Sequence, residues 1–321
     1  MHSGRQYLLA KFGMIASALR MLVAATPARG QGIEWETLND ELESLYAAGN
    51  YDRAVVVAKK ALAVAEKEMG ADHPSVATSL NNLAELYRAQ GQYAAAEPLY
   101  TRALAISEKA LGKDHPGVAT SLNNLAALYD TQGQYAAAEP LYKRSLAIFE
   151  KALGKDHPSV ATSLNNLASL YEKQGQYAAA EPLYTRSLAI KEKALGKDHP
   201  TVATTLNNLA LLYATQGQYA AAEPLYKRAL AIYEKALGKD HPEVATSLNN
   251  LAGLHDEQGQ YAAAEPLYTR ALAIYEKAHG KDHPDVAWSL ENLAGLYRKT
   301  DRAKDAEPLE ARAKVIRAIK R

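Results

Sequence analysis

The sequence predicts an all-α protein, an α-solenoid of stacked antiparallel helix pairs, on three observations. A His-Pro pair returns at His73, His115, His157, His199, His241 and His283, with 42 residues from one copy to the next and no insertion. A fixed period of about 20–50 residues marks an array in which one supersecondary unit is stacked on copies of itself. Within every period, two stretches carry apolar residues at helical spacing, and a Gly-Gln step such as Gly91-Gln92 separates them. Neither stretch can bury its apolar face alone, so stability must come from neighbouring pairs.

Composition narrows the class further. The 321 residues hold 37 Lys and Arg against 36 Asp and Glu, with both signs interleaved, so no basic footprint for nucleic acid exists. Cysteine is absent, which excludes disulfides and thiolate metal sites. No segment reaches the ~20 apolar residues of a membrane helix, so no integral membrane segment is expected. A solenoid grows by addition around one continuous core, and one elongated domain is expected in place of two globular ones.

Residues 1–32 stand apart. Arg5, Lys11 and Arg20 are unopposed by any acid before Glu34, and Met21 to Ala28 is small and apolar. This reads as a signal peptide ending near Ala28, a disordered leader or an organellar presequence; Arg20 interrupts the apolar run. The protein is exported or periplasmic if residues 1–28 act as a signal, and cytoplasmic otherwise. Residues 33–72 form a diverged N-terminal capping repeat. Leu42, Leu45, Tyr46, Gly49, Tyr51 and Ala54 match Leu83, Leu86, Tyr87, Gly91, Tyr93 and Ala96, with one residue missing from the turn.

Six helix pairs follow over 73–321, divided as 73–114, 115–156, 157–198, 199–240, 241–282 and 283–321. In the first, Pro74 suits the first helical position and His73 or Asp72 can cap it. Val76, Leu80, Leu83, Ala84 and Tyr87 trace one helical face. The second helix carries Tyr93, Ala96, Tyr100, Ala103, Leu104, Ala110 and Leu111, and Gly112 is placed to end it. Pro98 and its copies lie inside that helix and remove a backbone donor, so a bend or an irregular first turn is expected. In the last copy, Ala303 and Glu310 replace two tyrosines, as a polar terminal cap requires, and Arg312, Lys314, Arg317, Lys320 and Arg321 form a basic tail.

Leu80-Asn81-Asn82-Leu83-Ala84, Leu86-Tyr87, Gly91-Gln92-Tyr93, Ala96-Glu97-Pro98-Leu99-Tyr100 and Arg102-Ala103-Leu104-Ala105-Ile106 together resemble a tetratricopeptide repeat. The 42-residue length, the Asp-His-Pro start and the double Asn resemble specifically the repeats of kinesin light chains. The resemblance implies a right-handed superhelix whose concave side is lined mainly by the first helix of each pair. It also implies binding of an extended peptide or a partner helix in that groove. Kinesin light chains carry a long heptad coiled coil before their repeats, and residues 33–48 are too short for one.

Thr78, Asn81, Glu85 and Arg88 lie opposite the apolar face of the first helix and are expected to face the groove. Asn81, Asn123, Asn165, Asn207 and Asn249 would form a ladder there, ended by Glu291. Each amide offers a donor and an acceptor to a peptide backbone; bonding between repeats is the alternative. Asn82 and its copies are expected to be structural. Selectivity would come from rows that vary, Glu85, Ala127, Ser169, Leu211, Gly253 and Gly295 in one and Arg88, Asp130, Glu172, Ala214, Asp256 and Arg298 in the next. The small residues near the C-terminal end of the first row leave room for a bulky side chain, and in the middle Asp130, Glu172 and Asp256 favour a basic partner. Trp288 replaces a threonine and reads as either a binding anchor or cap packing.

No metal, cofactor or catalytic site is expected. Histidines copied with the repeat lie about 10 Å apart in a stack, too far to share an ion, and read as helix caps. His255 and His279 read as isolated surface or packing residues. Almost every candidate Ser, His, Asp and Glu is copied with the repeat, whereas a catalytic constellation is usually unique. The expected function is a non-enzymatic scaffold that binds a protein or peptide segment. A structural or self-assembling module is the alternative, and a kinesin light chain-like motor adaptor comes third.

Overall fold

The computed structural model describes residues 33–47 and 49–319; the leader at 1–32 and the end of the basic tail, Lys320 and Arg321, lie outside the described residues. Those residues are built from fourteen α-helices and contain no strand. They fall in two compact units, 33–183 and 184–319. The division falls inside a helix and follows from the way a solenoid packs. Each repeat contacts only its neighbours, so no long-range contact ties distant repeats together.

The first unit contains α1 (Ile33–Ala47), α2 (Tyr51–Met69), α3 (Pro74–Ala89), α4 (Tyr93–Leu111), α5 (Pro116–Thr131), α6 (Tyr135–Leu153) and α7 (Pro158–Lys173). Helix α8 (Tyr177–Leu195) carries the division. The second unit continues with α9 (Pro200–Thr215), α10 (Tyr219–Leu237), α11 (Pro242–Glu257), α12 (Tyr261–His279), α13 (Pro284–Lys299) and α14 (Ala303–Ala318). Within each unit consecutive helices pack together. The first helices of adjacent pairs also touch one another, α3 with α5 and α5 with α7, then α9 with α11 and α11 with α13.

The starts and stops follow the sequence signals. At every His-Pro pair proline opens the helix and the histidine is the cap: His73 Nδ1 accepts from the Ser75 N–H at 3.2 Å, and His157 Nδ1 from the Ser159 N–H at 3.1 Å. Gly112 adopts φ +83°, beyond the reach of ordinary side chains, and closes α4. Helix α4 runs unbroken from Tyr93 to Leu111 with Pro98 inside it, so the irregular first turn expected there does not interrupt the element.

The core is a repeated small-large arrangement. Ala84, Ala96, Tyr100, Leu125 and Leu128 pack together in the first unit, and Ala210, Ala222, Tyr226, Leu251 and Leu254 make the equivalent cluster in the second. Alanine lets the helices approach and the tyrosine fills the space beside it. Surface ion pairs repeat with the same period, Arg144 with Glu108 at 2.7 Å and Arg270 with Glu234 at 2.7 Å, each tying a second helix to the one before. Exposed pairs of this kind contribute at most about 1 kcal/mol each, so burial rather than charge holds the stack.

Candidate functional site

The asparagine row lies where adjacent first helices meet. Asn81 Nδ2 donates to Ser121 Oγ at 3.1 Å, Asn207 Nδ2 to Ser247 Oγ at 2.9 Å, and Asn249 Nδ2 to Ser289 Oγ at 3.0 Å. All five, Asn81, Asn123, Asn165, Asn207 and Asn249, are buried. For these three, interrepeat bonding engages the donor half of the amide. The Oδ1 atoms of Asn81, Asn207 and Asn249 are buried without a hydrogen-bond partner. Asn123 differs, since its Oδ1 accepts from Asn166 Nδ2 at 3.2 Å, and Asn82 Nδ2 reaches Asn39 Oδ1 at 3.0 Å. The second asparagine of the doublet is thus a bridge to the preceding repeat. The serines that complete these bonds lie in the apolar-facing part of the repeat; their only signal was the constant 40-residue offset from the asparagine.

One turn further along, the charged row is half-buried and partnered. In the first unit Arg88 Nε donates to Glu85 Oε2 at 2.8 Å, and the Tyr100 hydroxyl donates to the same oxygen at 2.7 Å. Asp130 Oδ2 pairs with Lys173 Nζ at 2.7 Å, leaving Oδ1 buried with no hydrogen-bond partner. Burial, and after it the Asp130 charge, pushes the Tyr142 phenol well above its ordinary value. Glu172 is half-buried on the same row. In the second unit Asp256 repeats the Asp130 arrangement: Oδ2 pairs with Lys299 Nζ at 2.7 Å, and Oδ1 is buried without a partner. The lysines at 173 and 299 were the missed members of this row.

The small positions are not equivalent. A Cβ on Gly295 would meet nothing within 4 Å, whereas on Gly253 it would lie 3.5 Å from the Tyr268 hydroxyl. Room for a bulky group therefore exists at Gly295 and is partly filled at Gly253. Trp288 packs against the terminal core with Leu309. Glu291, at the end of the asparagine row, is paired with Arg317 at 2.9 Å, and Arg312 with Glu276, so both described arginines of the basic tail have partners within the fold.

The histidines also divide. His255 Nδ1 lies 2.7 Å from Gln260 Oε1, a local turn contact. His279 stacks between Tyr275 and His283, with ring centroids 5.9 Å and 4.4 Å away. Comparison of copies across repeats leaves His279 isolated, whereas its neighbour His283 belongs to the same junction, across the turn that joins α12 to α13.

Helix pairs joined by tight glycine turns, with alanine and tyrosine alternating in the core, define an α-solenoid of the helix-pair repeat class. The tetratricopeptide repeat pattern matches residues 43–109, 79–151, 132–193, 159–235, 201–277 and 257–314, and the chain belongs to that family. Among solved structures it is similar to BtubC (BKLC) from P. vanneervenii, at 28% identity over 71% of this chain and 91% of that one, with a TM-score of 0.59. It is also similar to a putative kinesin light chain from P. anserina with nearly identical tetratricopeptide-like repeats, at 34% identity over 64% of this chain and 97% of that one, TM-score 0.54. The apo form of RapI shares the fold at 17% identity, covering 89% of this chain and 98% of that one with a TM-score of 0.64. Comparison with curated protein sequences returned no match. Among the described residues no helix is long and apolar enough to cross a membrane.

Proposed function

We propose that this protein is a non-enzymatic interaction scaffold that binds an extended protein segment along its first helices, with preference for basic side chains. The observation that carries this reading is the pair of aspartates, Asp130 and Asp256, each holding one oxygen toward a lysine and one without a hydrogen-bond partner. Lys173 and Lys299 are the more exposed members of these pairs, so a guanidinium or ammonium group of a partner would displace the lysine and take over its charge-assisted bond to the aspartate. Arg88 and Trp288 would bound this surface, each in its own unit. Family membership supports an interaction role, since stacked repeats present extended surfaces of this kind.

A positionally randomised peptide library panned on the full chain is expected to enrich Lys and Arg. The double variant Asp130→Ala, Asp256→Ala should lose that enrichment, and alanine is tolerated because Ala214 occupies the same position in another repeat. A library selection with no basic preference in the parent protein would overturn the reading.

Self-association is favoured by a separate observation. Ile33 and Val56 in the first helix pair, and Val315 and Ile319 at the last helix, are large apolar side chains left exposed. Sedimentation velocity over a hundredfold concentration range is expected to show a concentration-dependent shift that Val56→Lys and Val315→Lys suppress; a strict monomer excludes it.

A further inference from the structure

We propose that His279, His283 and Asp285 form a binding site for one divalent ion of the zinc class, clasping the end of α12 to the start of α13. One ring nitrogen from each histidine and a carboxylate oxygen of Asp285 all lie within 4.8 Å of one another. His283 Nδ1 is 3.4 Å from Asp285 Oδ2, and His279 Nε2 is 3.8 Å from the same oxygen. Donors bonded to zinc at about 2.0–2.1 Å in a tetrahedron are about 3.3 Å apart, so the two histidine–aspartate distances are already close to that spacing, and side-chain rotation of about an ångström would bring in the widest pair.

Two departures from the repeat create the cluster, and both fall at this one junction. His279 stands where the other repeats have Leu111, Leu153, Leu195 and Leu237, and Asp285 where they have Ser75, Gly117, Ser159, Thr201 and Glu243. The helices bring them together: His279 is the last residue of α12, His283 is the cap of α13, and the turn from Gly280 to Asp282 folds one onto the other. This differs from the ladder of copied histidines, whose members belong to different repeats.

The surroundings favour a bound cation. Glu243, at the equivalent position one repeat earlier, is buried and lies close enough to feel the Asp285 charge. The positive end of α13 opposes a cation, whereas the negative end of α12 attracts one, and the Asp285 carboxylate sets the balance. A metal on His283 Nδ1 would replace the 3.2 Å bond from the Asp285 N–H, the cap of α13. Two imidazoles and one carboxylate suit zinc, copper or nickel; magnesium and calcium prefer all-oxygen cages.

The full chain, stripped with EDTA and dialysed, is to be titrated calorimetrically with zinc chloride and separately with magnesium chloride. His279→Leu restores the residue of the other repeats, and Asp285→Ser restores that of the first, so both should fold. The parent is expected to take up one more equivalent of zinc than His279→Leu, to bind zinc at least about tenfold more tightly than Asp285→Ser, and to ignore magnesium. Equal zinc uptake by the parent and both variants would overturn the proposal and leave the ring stack as a packing contact.

Discussion

Replacing Lys191 with methionine is expected to raise the stability of the fold by roughly 3 kcal/mol at pH 7. Lys191 lies on α8 within the second unit, 6% exposed, where the other repeats carry Ser107, Phe149, Tyr233 and Tyr275. Its Nζ donates to Thr205 Oγ1 at 2.8 Å and reaches the Thr201 carbonyl at 3.5 Å, and among the described residues no carboxylate pairs with it. Burial pushes the ammonium down to about 8. An ordinary lysine titrates near 10.4, so the unfolded chain binds more protons between about pH 8 and pH 10. Stability therefore rises with pH across that window. The parent should gain about 1 kcal/mol from pH 7 to pH 9, and Lys191→Met should lack that gain. Methionine removes the charge at similar length, and Thr205 keeps its own bond to the Thr201 carbonyl at 3.3 Å, so no donor is stranded. Urea unfolding followed by circular dichroism at pH 7 and pH 9 measures both effects. An unchanged or lower midpoint at pH 7 would mean that the ammonium is paid for elsewhere in the packing.

Truncating Leu206 to alanine is expected to cost about 2–5 kcal/mol. Leu206 is fully buried on α9, among Val202, Ala203, Val244, Ala245 and Leu248, and belongs to the cluster that runs on through Leu290 to Ile316. A cavity there sits between two stacked pairs, where the backbones are held on both sides and cannot collapse into it. The loss should also weaken coupling between adjacent repeats, since solenoid stability is a sum of repeat and interface terms. Leu309, only partly buried on the terminal helix, provides the comparison: Leu309→Ala should cost less than half as much. Denaturant midpoints and slopes of the two variants, compared with the parent, test this; equal losses would show that the interior interface is no tighter than the end.

Much of the repeat was legible because its determinants are local. His73 as cap, Pro74 as first helical residue, Gly112 as stop and the Val76, Leu80, Leu83 face each depend on neighbours within a few residues, and each is found in place. The candidate site was legible only in part. A helical wheel places Asn81 away from Val76 and Leu80, but it cannot distinguish a side chain that faces open space from one that meets the next first helix. Ser121 lies 40 residues away, and the rotation between repeats decides that Asn81 reaches it. Asp130 was read as a charge toward a partner; its bond to Lys173 depends on the same rotation.

The sequence by itself determined the helix pair, its period and its caps, because backbone propensity and hydrophobic spacing act over single turns. Tertiary structure alone decided which polar atoms are engaged, that Lys191 is enclosed beside Thr205, and that His279, His283 and Asp285 converge. Those outcomes turn on distances between side chains from successive helices, and such distances follow from packing angles that no single repeat encodes.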